Sequence, residues 1–315
     1  MRQVMQTTMR AVRACGIITI LCAAVVAALV IGVAIRRVHA SPRWLVITWG
    51  ENTPEWNRKL DVSAIREGCS DTPTSCINEI KSQKGKKIFL SILLKTAIPG
   101  NYGPQYGLLA REAPSLVSIG ADDFVGQYQK LFLAGFQNAP AALTSLVDGI
   151  KSGNVGFGLT IYEDDLHSPY LSDQDFSPAT RAKVDYVHLY IHYRADTPNT
   201  TRYVQEAKAI FPNARVILGV YAYDRISYLP CTKGGQPCTA QQEQDYLRQG
   251  LDTDLQLVKS GDAAGIEFWP GSFGKIDEWK GWDEARICPG RRSECVKNTH
   301  EMRQIVAEEF KTHGI

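Results

Sequence analysis

The order of strand-like and helix-like segments is the feature that most restricts the fold of this chain. Six segments alternate apolar residues with polar or small ones, which is the pattern of β-strands, and helical stretches separate most of them. The strand segments are 44–49, 87–94, 155–162, 185–194, 215–224 and 264–269, with a further short strand over 115–119. Strands that alternate with helices predict a parallel sheet covered by helices.

Helical periodicity supports this order. It covers 122–137, 141–151, 178–183, 199–211, 240–260 and 297–311. The length from residue 44 onward suits one (β/α)8-type TIM barrel, for which about 250 residues is typical, although fewer than eight strands predict an irregular one. The rival fold is a doubly wound open sheet. No Gly-x-Gly-x-x-Gly follows an early strand and no phosphate loop is present, so we expect no nucleotide cofactor, and none of another kind.

One face of several predicted strands is polar or aromatic. A parallel strand in an open sheet would be apolar on both faces. The second face instead carries His188, Tyr190 and His192 in one strand, Gly219, Tyr221 and Tyr223 in the next, and Gly265, Glu267 and Trp269 in the last. A barrel provides a common inner face for such residues and brings them together at one mouth.

Three consecutive carboxylates end the strand at 155–162, where ligands bind in parallel α/β proteins. Together with other strand ends, they predict a mouth that mixes acids with aromatic residues, which is typical of a carbohydrate site. The predicted substrate-binding residues are Trp269, Tyr223, Asp224, His192, Arg194, Tyr162 and Glu51.

Glycoside hydrolysis requires two carboxyl groups, one on each side of the scissile bond. Glu267 is the first candidate, because a Glu between Ile266 and Phe268 on a buried strand is costly without a purpose or a partner. Its alternative role is an ion pair with an arginine. Glu163 is the predicted second catalytic acid, and Asp164 replaces it if the strand register slips by one residue.

The strand-end acids in Ile161-Tyr-Glu-Asp-Asp165, and the acid beside Trp in Gly265-Ile-Glu-Phe-Trp-Pro270, resemble glycoside-hydrolase-type TIM barrels. The resemblance covers most of residues 44–274 in architecture. It implies a carbohydrate-active hydrolase that cleaves a polysaccharide or glycan by a two-carboxylate mechanism. No Asn-Glu pair follows a middle strand, and the Asp-x-x-Asp-x-Asp-x-Glu run of the chitinase type is absent. The alternative is therefore a non-catalytic barrel that binds a glycan or an envelope polymer.

Other chemistries have less support. Neither Gly-x-Ser-x-Gly nor His-Glu-x-x-His occurs in the sequence. His188 and His192 share a strand face, but at about 3.3 Å per residue they stand about 13 Å apart, too far to bind one ion easily. We therefore expect no metal site.

The N-terminus predicts a membrane segment. Residues 14–35 carry no charge, a length sufficient to span a bilayer, and the arginines before them predict a cytoplasmic N-terminus. We assign 1–13 to the cytoplasm, 14–35 to an uncleaved transmembrane signal anchor, 36–43 to a linker and 44–315 to a single extracytoplasmic domain, periplasmic or extracellular. Cleavage after Ala40 is the alternative, and it would give a secreted protein.

The charge of the region after residue 40 and the spacing of its cysteines are consistent with a domain outside the cytoplasm. The formal charge of +2 includes five arginines before residue 41, and without them 30 basic and 33 acidic residues remain. No basic run interleaved with aromatics occurs, so nucleic acid is not an expected partner. Six cysteines form three pairs of one spacing, which predicts local disulfides. The pairs are Cys69 with Cys76, Cys231 with Cys238, and Cys288 with Cys295.

Overall fold

The computed structural model describes residues 44–50, 53–69, 72–82, 86–136, 138–224, 230–271, 288, 290 and 292–314. The predicted membrane span over 14–35, the cleavage position at Ala40 and Glu51 lie outside these residues. Within the described ranges, no helix has the length and apolar character needed to cross a membrane.

Eight parallel strands close into a barrel in chain order, and the last strand pairs with the first. They are β1 Leu45–Trp49, β2 Ala64–Cys69, β3 Lys87–Ile92, β4 Leu116–Ala121, β5 Gly156–Tyr162, β6 Tyr186–Tyr190, β7 Arg215–Tyr221 and β8 Gly265–Trp269. The prediction of a (β/α)8 barrel is confirmed. The sequence pattern had indicated no strand at β2, and it had ended β4 two residues early.

Helices cover the outside of the barrel. They are α1 Pro54–Lys59, α2 Pro73–Ser82, α3 Leu94–Ala97, α4 Gly103–Glu112, α5 Phe124–Leu133, α6 Ala139–Lys151, α7 Pro178–Arg181, α8 Thr200–Ile210, α9 Ala240–Ser260 and α10 Ser293–Thr312. Short 3₁₀ helices lie at Glu163–His167, Pro169–Leu171 and Arg194–Asn199. Outward aliphatic residues of the strands, such as Val187 and Leu189, are buried in the core between sheet and helices.

Local sequence signals set the bounds of α9, the longest of the described helices. Thr239 caps its first turn by accepting a hydrogen bond from the amide of Gln242, whose side chain accepts one from the amide of Thr239 in return. The helix stops at Gly261, whose φ of 83° lies in the left-handed region that glycine adopts without steric cost.

The three predicted disulfides are confirmed. Cys69 bonds Cys76, Cys231 bonds Cys238, and Cys288 bonds Cys295, each across seven residues of sequence. Disulfides persist in oxidising compartments, so they indicate a location outside the cytoplasm.

Two helices of the outer layer approach closely through glycines. A Cβ added to Gly149 of α6 would lie 2.5 Å from the carbonyl carbon of Gly103 in α4. We expect Gly149→Ala to lower the free energy of unfolding by about 1–3 kcal/mol, because the two backbones must move apart. Urea denaturation measures this change.

The matched control is Gly126→Ala in α5, where an added Cβ would meet no atom within 4 Å. This replacement should raise the free energy of unfolding by up to about 1 kcal/mol, since alanine favours helix more than glycine does. Equal effects of the two substitutions would contradict close α4–α6 packing.

Candidate active site

The inner faces of the strands meet near the carboxyl end of the barrel. Strand register places Thr160 beside His188, and Gly219 lies between Tyr190 and Glu267. Alternation along each strand turns these residues toward the barrel axis. Polar side chains that are far apart in sequence therefore share one layer inside the barrel.

Glu267 lies at the centre of this layer and is completely buried, with 0% of its surface exposed. Its Oε1 accepts hydrogen bonds from Arg66 Nη1 at 2.8 Å, Tyr190 Oη at 2.6 Å and Trp49 Nε1 at 3.0 Å. Its Oε2 lies 2.7 Å from Nδ1 of His188, a close contact but not an aligned hydrogen bond. Both oxygens of the carboxylate are therefore enclosed by protein groups.

The charges around Glu267 keep it ionised. Burial alone would raise the pKa of this carboxyl group, but the Arg66 charge and then His188 outweigh burial and lower the pKa below its ordinary value. Burial also lowers the pKa of His188, which favours the neutral imidazole.

Arg66 connects Glu267 to the rest of the mouth. Only 2% of Arg66 is exposed, and its Nη2 donates to Ser91 at 3.1 Å, Thr160 at 2.5 Å and Asp122 at 3.4 Å. Its guanidinium also lies over the ring of Trp49, 4.4 Å from the centroid. This one side chain links β2 to groups of five other strands or strand ends.

Asp122 follows β4 directly and continues the inner-facing series of that strand. Its side chain is 31% exposed, so it is accessible from the mouth, unlike Glu267. Burial raises the pKa of Asp122, and the charge of Arg66 opposes this only in part. Arg66 therefore contacts two carboxyl groups whose pKa values are displaced in opposite directions.

Aromatic rings and a second aspartate line the entrance. Tyr162 stacks on His192 with ring centroids 3.7 Å apart, and Tyr221 meets Trp269 edge to face at 5.8 Å. Asp123 immediately precedes α5, but its side chain does not cap the helix and instead accepts a hydrogen bond from the hydroxyl of Tyr162 at 2.5 Å. Four predicted substrate-binding or inner-face residues thus lie together at the mouth.

Glu163 and Asp164 have other partners. Glu163 follows the inward-facing Tyr162 and accepts hydrogen bonds from the backbone amides of His192 at 2.9 Å and Tyr193 at 3.4 Å. Burial raises the pKa of Glu163 to about 7. Asp164 forms an ion pair with Lys233 at 3.1 Å. These contacts do not bring either residue to Glu267.

The remaining predicted residues anchor the loops around the mouth. Arg194 donates to Glu243 at 2.5 Å and to the carbonyl groups of Tyr221 and Tyr223. The carboxylate of Asp224 accepts a hydrogen bond from Asn298 of α10 at 2.8 Å. Tyr223 itself is buried and lies edge to face against Trp269, with ring centroids 5.4 Å apart.

Sequence reasoning did not identify Arg66, Asp122, Asp123 or Trp49 as site residues. Arg66 was not identified because β2 was not recognised as a strand, although Ala64-Ile-Arg-Glu-Gly-Cys69 has apolar residues near both ends. Asp122 and Asp123 were not identified because the predicted strand ended two residues before β4 does, which placed both residues in a predicted helix. Two adjacent acids at the end of a short apolar strand were the available signal.

No known family profile and no curated protein sequence match the chain. Among solved structures, it is similar to GH5_18 from Streptomyces cattleya in complex with GlcNAc, with 14% identity over 87% of this chain and 81% of that one, and a TM-score of 0.52. A GH18 chitinase from Pseudoalteromonas aurantia is 16% identical over 74% and 96% of the two chains, with a TM-score of 0.43.

A mutant tryptophan synthase alpha-subunit from Pyrococcus furiosus also matches, with 13% identity over 85% of this chain and 98% of that one, and a TM-score of 0.43. The likeness to the Streptomyces structure confirms, at the level of fold, the resemblance to glycoside-hydrolase-type TIM barrels. Barrels of this shape support many chemistries, so the function has to be argued from the site.

Proposed function

We propose that this barrel is a carbohydrate-active hydrolase that cleaves glycosidic bonds at its carboxyl-terminal mouth. The observation that supports it most is the contact of one guanidinium, Arg66, with both Glu267 and Asp122. The pKa of Glu267 is lowered and that of Asp122 is raised. Two carboxyl groups with pKa values moved apart are suited to acid and base roles.

The separation of the two carboxyl groups also fits. They contact the two terminal nitrogens of the same planar guanidinium, at 2.8 Å for Glu267 and 3.4 Å for Asp122. This arrangement is compatible with the separations of about 5–9.5 Å that retaining and inverting glycosidases use.

In this proposal Asp122 donates a proton to the leaving oxygen, because its raised pKa keeps the proton available. Glu267 remains ionised beneath the site and stabilises the positive charge that develops on the sugar. A water molecule then adds to the anomeric carbon and returns a proton to the ionised Asp122, which completes hydrolysis. Tyr162, His192 and Trp269 present rings for sugar stacking. Asp122 takes the second carboxyl role predicted for Glu163 or Asp164, because those two residues are bound elsewhere.

The enclosure of Glu267 supports a second candidate function. Its Oε1 accepts three hydrogen bonds and its Oε2 lies against Nδ1 of His188, so neither oxygen is presented to a ligand in this state. A barrel in which Glu267 only stabilises the mouth would bind a glycan or an envelope polymer through its aromatic rim without cleaving it.

Turnover of a polysaccharide panel by the full chain tests the proposal. New reducing ends should appear with at least one neutral, amino-sugar or acidic polymer, and binding to the same panel is measured in parallel. Binding without cleavage would support the second candidate. If the protein neither binds nor cleaves any polymer of the panel, the carbohydrate function is ruled out.

A further inference from the structure

A small cavity lies behind the mouth, outside the barrel. Its wall includes Tyr221 at the end of β7, Thr197 of the 3₁₀ helix Arg194–Asn199, Thr200 at the start of α8, and Gly250 and Asp254 of α9. The cavity has room for a water-sized ligand. It belongs to the layer between sheet and helices and not to the proposed active site.

Asp254 is the unusual member of this wall. It is only 6% exposed, and its Oδ1 has no hydrogen-bond partner. The carboxyl group does interact with the hydroxyl of Thr200. A buried carboxylate oxygen without a partner is nevertheless costly, and in a native protein it usually marks a bound proton, water or ion. Among the described residues, no lysine, arginine or histidine forms an ion pair with Asp254.

The other polar groups of the cavity offer acceptors. The hydroxyl of Thr197 donates to the carbonyl oxygens of Arg194 at 2.8 Å and Tyr246 at 3.0 Å. The hydroxyl of Thr200 donates to the carbonyl oxygen of Thr197 at 2.6 Å. The hydroxyl of Thr200 also interacts with the carboxyl group of Asp254, so its hydrogen is shared between the two acceptors. Both hydroxyl oxygens keep lone pairs for a ligand.

Arg194 also lines the cavity, but its Nε and Nη2 atoms donate hydrogen bonds to groups other than Asp254, Thr197 and Thr200. Its Nε donates to Glu243, and its Nη2 donates to the carbonyl groups of Tyr221 and Tyr223. The polar contacts identified for the cavity are therefore one carboxylate and two hydroxyl oxygens, a set that matches a positively charged ligand.

We propose that this cavity binds a small monovalent cation of the sodium class, with Asp254 Oδ1 as the anionic ligand and the hydroxyl oxygens of Thr197 and Thr200 as neutral ligands. Hard cations prefer oxygen ligands, and one carboxylate balances one positive charge. In the described part of the chain, no group of three or more His, Cys, Asp or Glu side chains is placed to hold a metal ion, which disfavours a multivalent ion here.

The bound cation would join three elements behind the mouth: the 3₁₀ helix, α8 and α9. It would thereby stabilise the segment in which Arg194 holds the backbone of Tyr221. This role is independent of whether the barrel cleaves a glycan, so the site and the proposed activity can succeed or fail separately.

Thermal unfolding of the full chain at pH 8 tests the proposal. We expect the midpoint to rise with sodium chloride concentration relative to choline chloride at equal ionic strength, because a ligand that binds only the folded state stabilises it by mass action. The advantage of sodium should disappear in Asp254→Asn and persist in Asp245→Asn, an exposed control on α9.

Acid provides a second readout. Protonation removes the negative charge of the proposed carboxylate ligand, so protons should compete with the cation and the sodium effect should weaken as pH falls. Equal midpoints in sodium and choline at pH 8 would overturn the proposal and leave a proton or a water as the occupant. A sodium effect that survives in Asp254→Asn would overturn it too.

Discussion

Asp122→Asn is expected to lower kcat for glycan hydrolysis by about 10²–10⁴-fold, the usual contribution of a general acid. An amide of the same shape keeps the contact with Arg66 but cannot deliver a proton to the leaving oxygen. The carboxyl group is partly exposed at the mouth, so the substitution should leave the unfolding midpoint nearly unchanged. Steady-state kinetics on the polymer that the panel identifies measures the loss.

The pH profile gives an independent check on this role. The raised pKa of Asp122 means that the donor keeps its proton at a higher pH than an ordinary aspartic acid does. The value of kcat/KM should therefore fall as pH rises through that pKa, and this alkaline limb should be absent in Asp122→Asn.

The matched control for Asp122 is Glu163→Gln. Glu163 is also a carboxyl group with a raised pKa next to the mouth, but it is bound to backbone amides of the segment after β6. We expect this variant to keep most of its activity. If Glu163→Gln loses as much activity as Asp122→Asn, Glu163 is again a candidate for the second catalytic acid. If Asp122→Asn remains fully active, Asp122 is not the proton donor.

Glu267→Gln is expected to lower the free energy of unfolding by about 3–5 kcal/mol, the cost of removing one partner of a buried ion pair. Arg66 would remain almost completely buried with its main counter-charge gone. The hydrogen bonds from Tyr190 and Trp49 would also change from charged to neutral acceptors. Urea denaturation at pH 7 measures the change.

Two comparisons separate this buried pair from ordinary surface electrostatics. Glu112→Gln breaks an exposed pair with Lys81 and should have little effect. The double variant Arg66→Met with Glu267→Leu should lose less stability than the sum of the two single changes, because neither charge is left alone. A cost for Glu267→Gln no larger than for Glu112→Gln would show that the pair does not stabilise the barrel.

Particular residues show how far sequence reasoning reaches. Glu267 stood out because an acid between two large apolar residues on a buried strand needs a partner, and the structure provides Arg66. The paired spacing of the cysteines was enough to predict all three disulfides. The inner face of β6, with His188 and Tyr190, followed from alternation alone.

The roles of other residues could not be predicted from the sequence. Arg66 lies on a strand whose composition is weakly β-like, since Arg66, Glu67 and Gly68 interrupt its apolar pattern. Glu163 and Asp164 had the residue types and strand position of a site, but the turn after β5 directs them to backbone amides and to Lys233. Strand-end acids do not reveal from sequence which side of the barrel wall they face.

The sequence by itself determined the class of fold, the identity of most strands and the disulfide pairs, because periodicity and cysteine spacing are local properties. Only the tertiary structure decided which charges meet. Arg66 and Glu267 are separated by 201 residues along the chain, and their contact at 2.8 Å exists because barrel closure pairs β8 with β1, which is next to β2. Long-range register of this kind depends on how all eight strands close together.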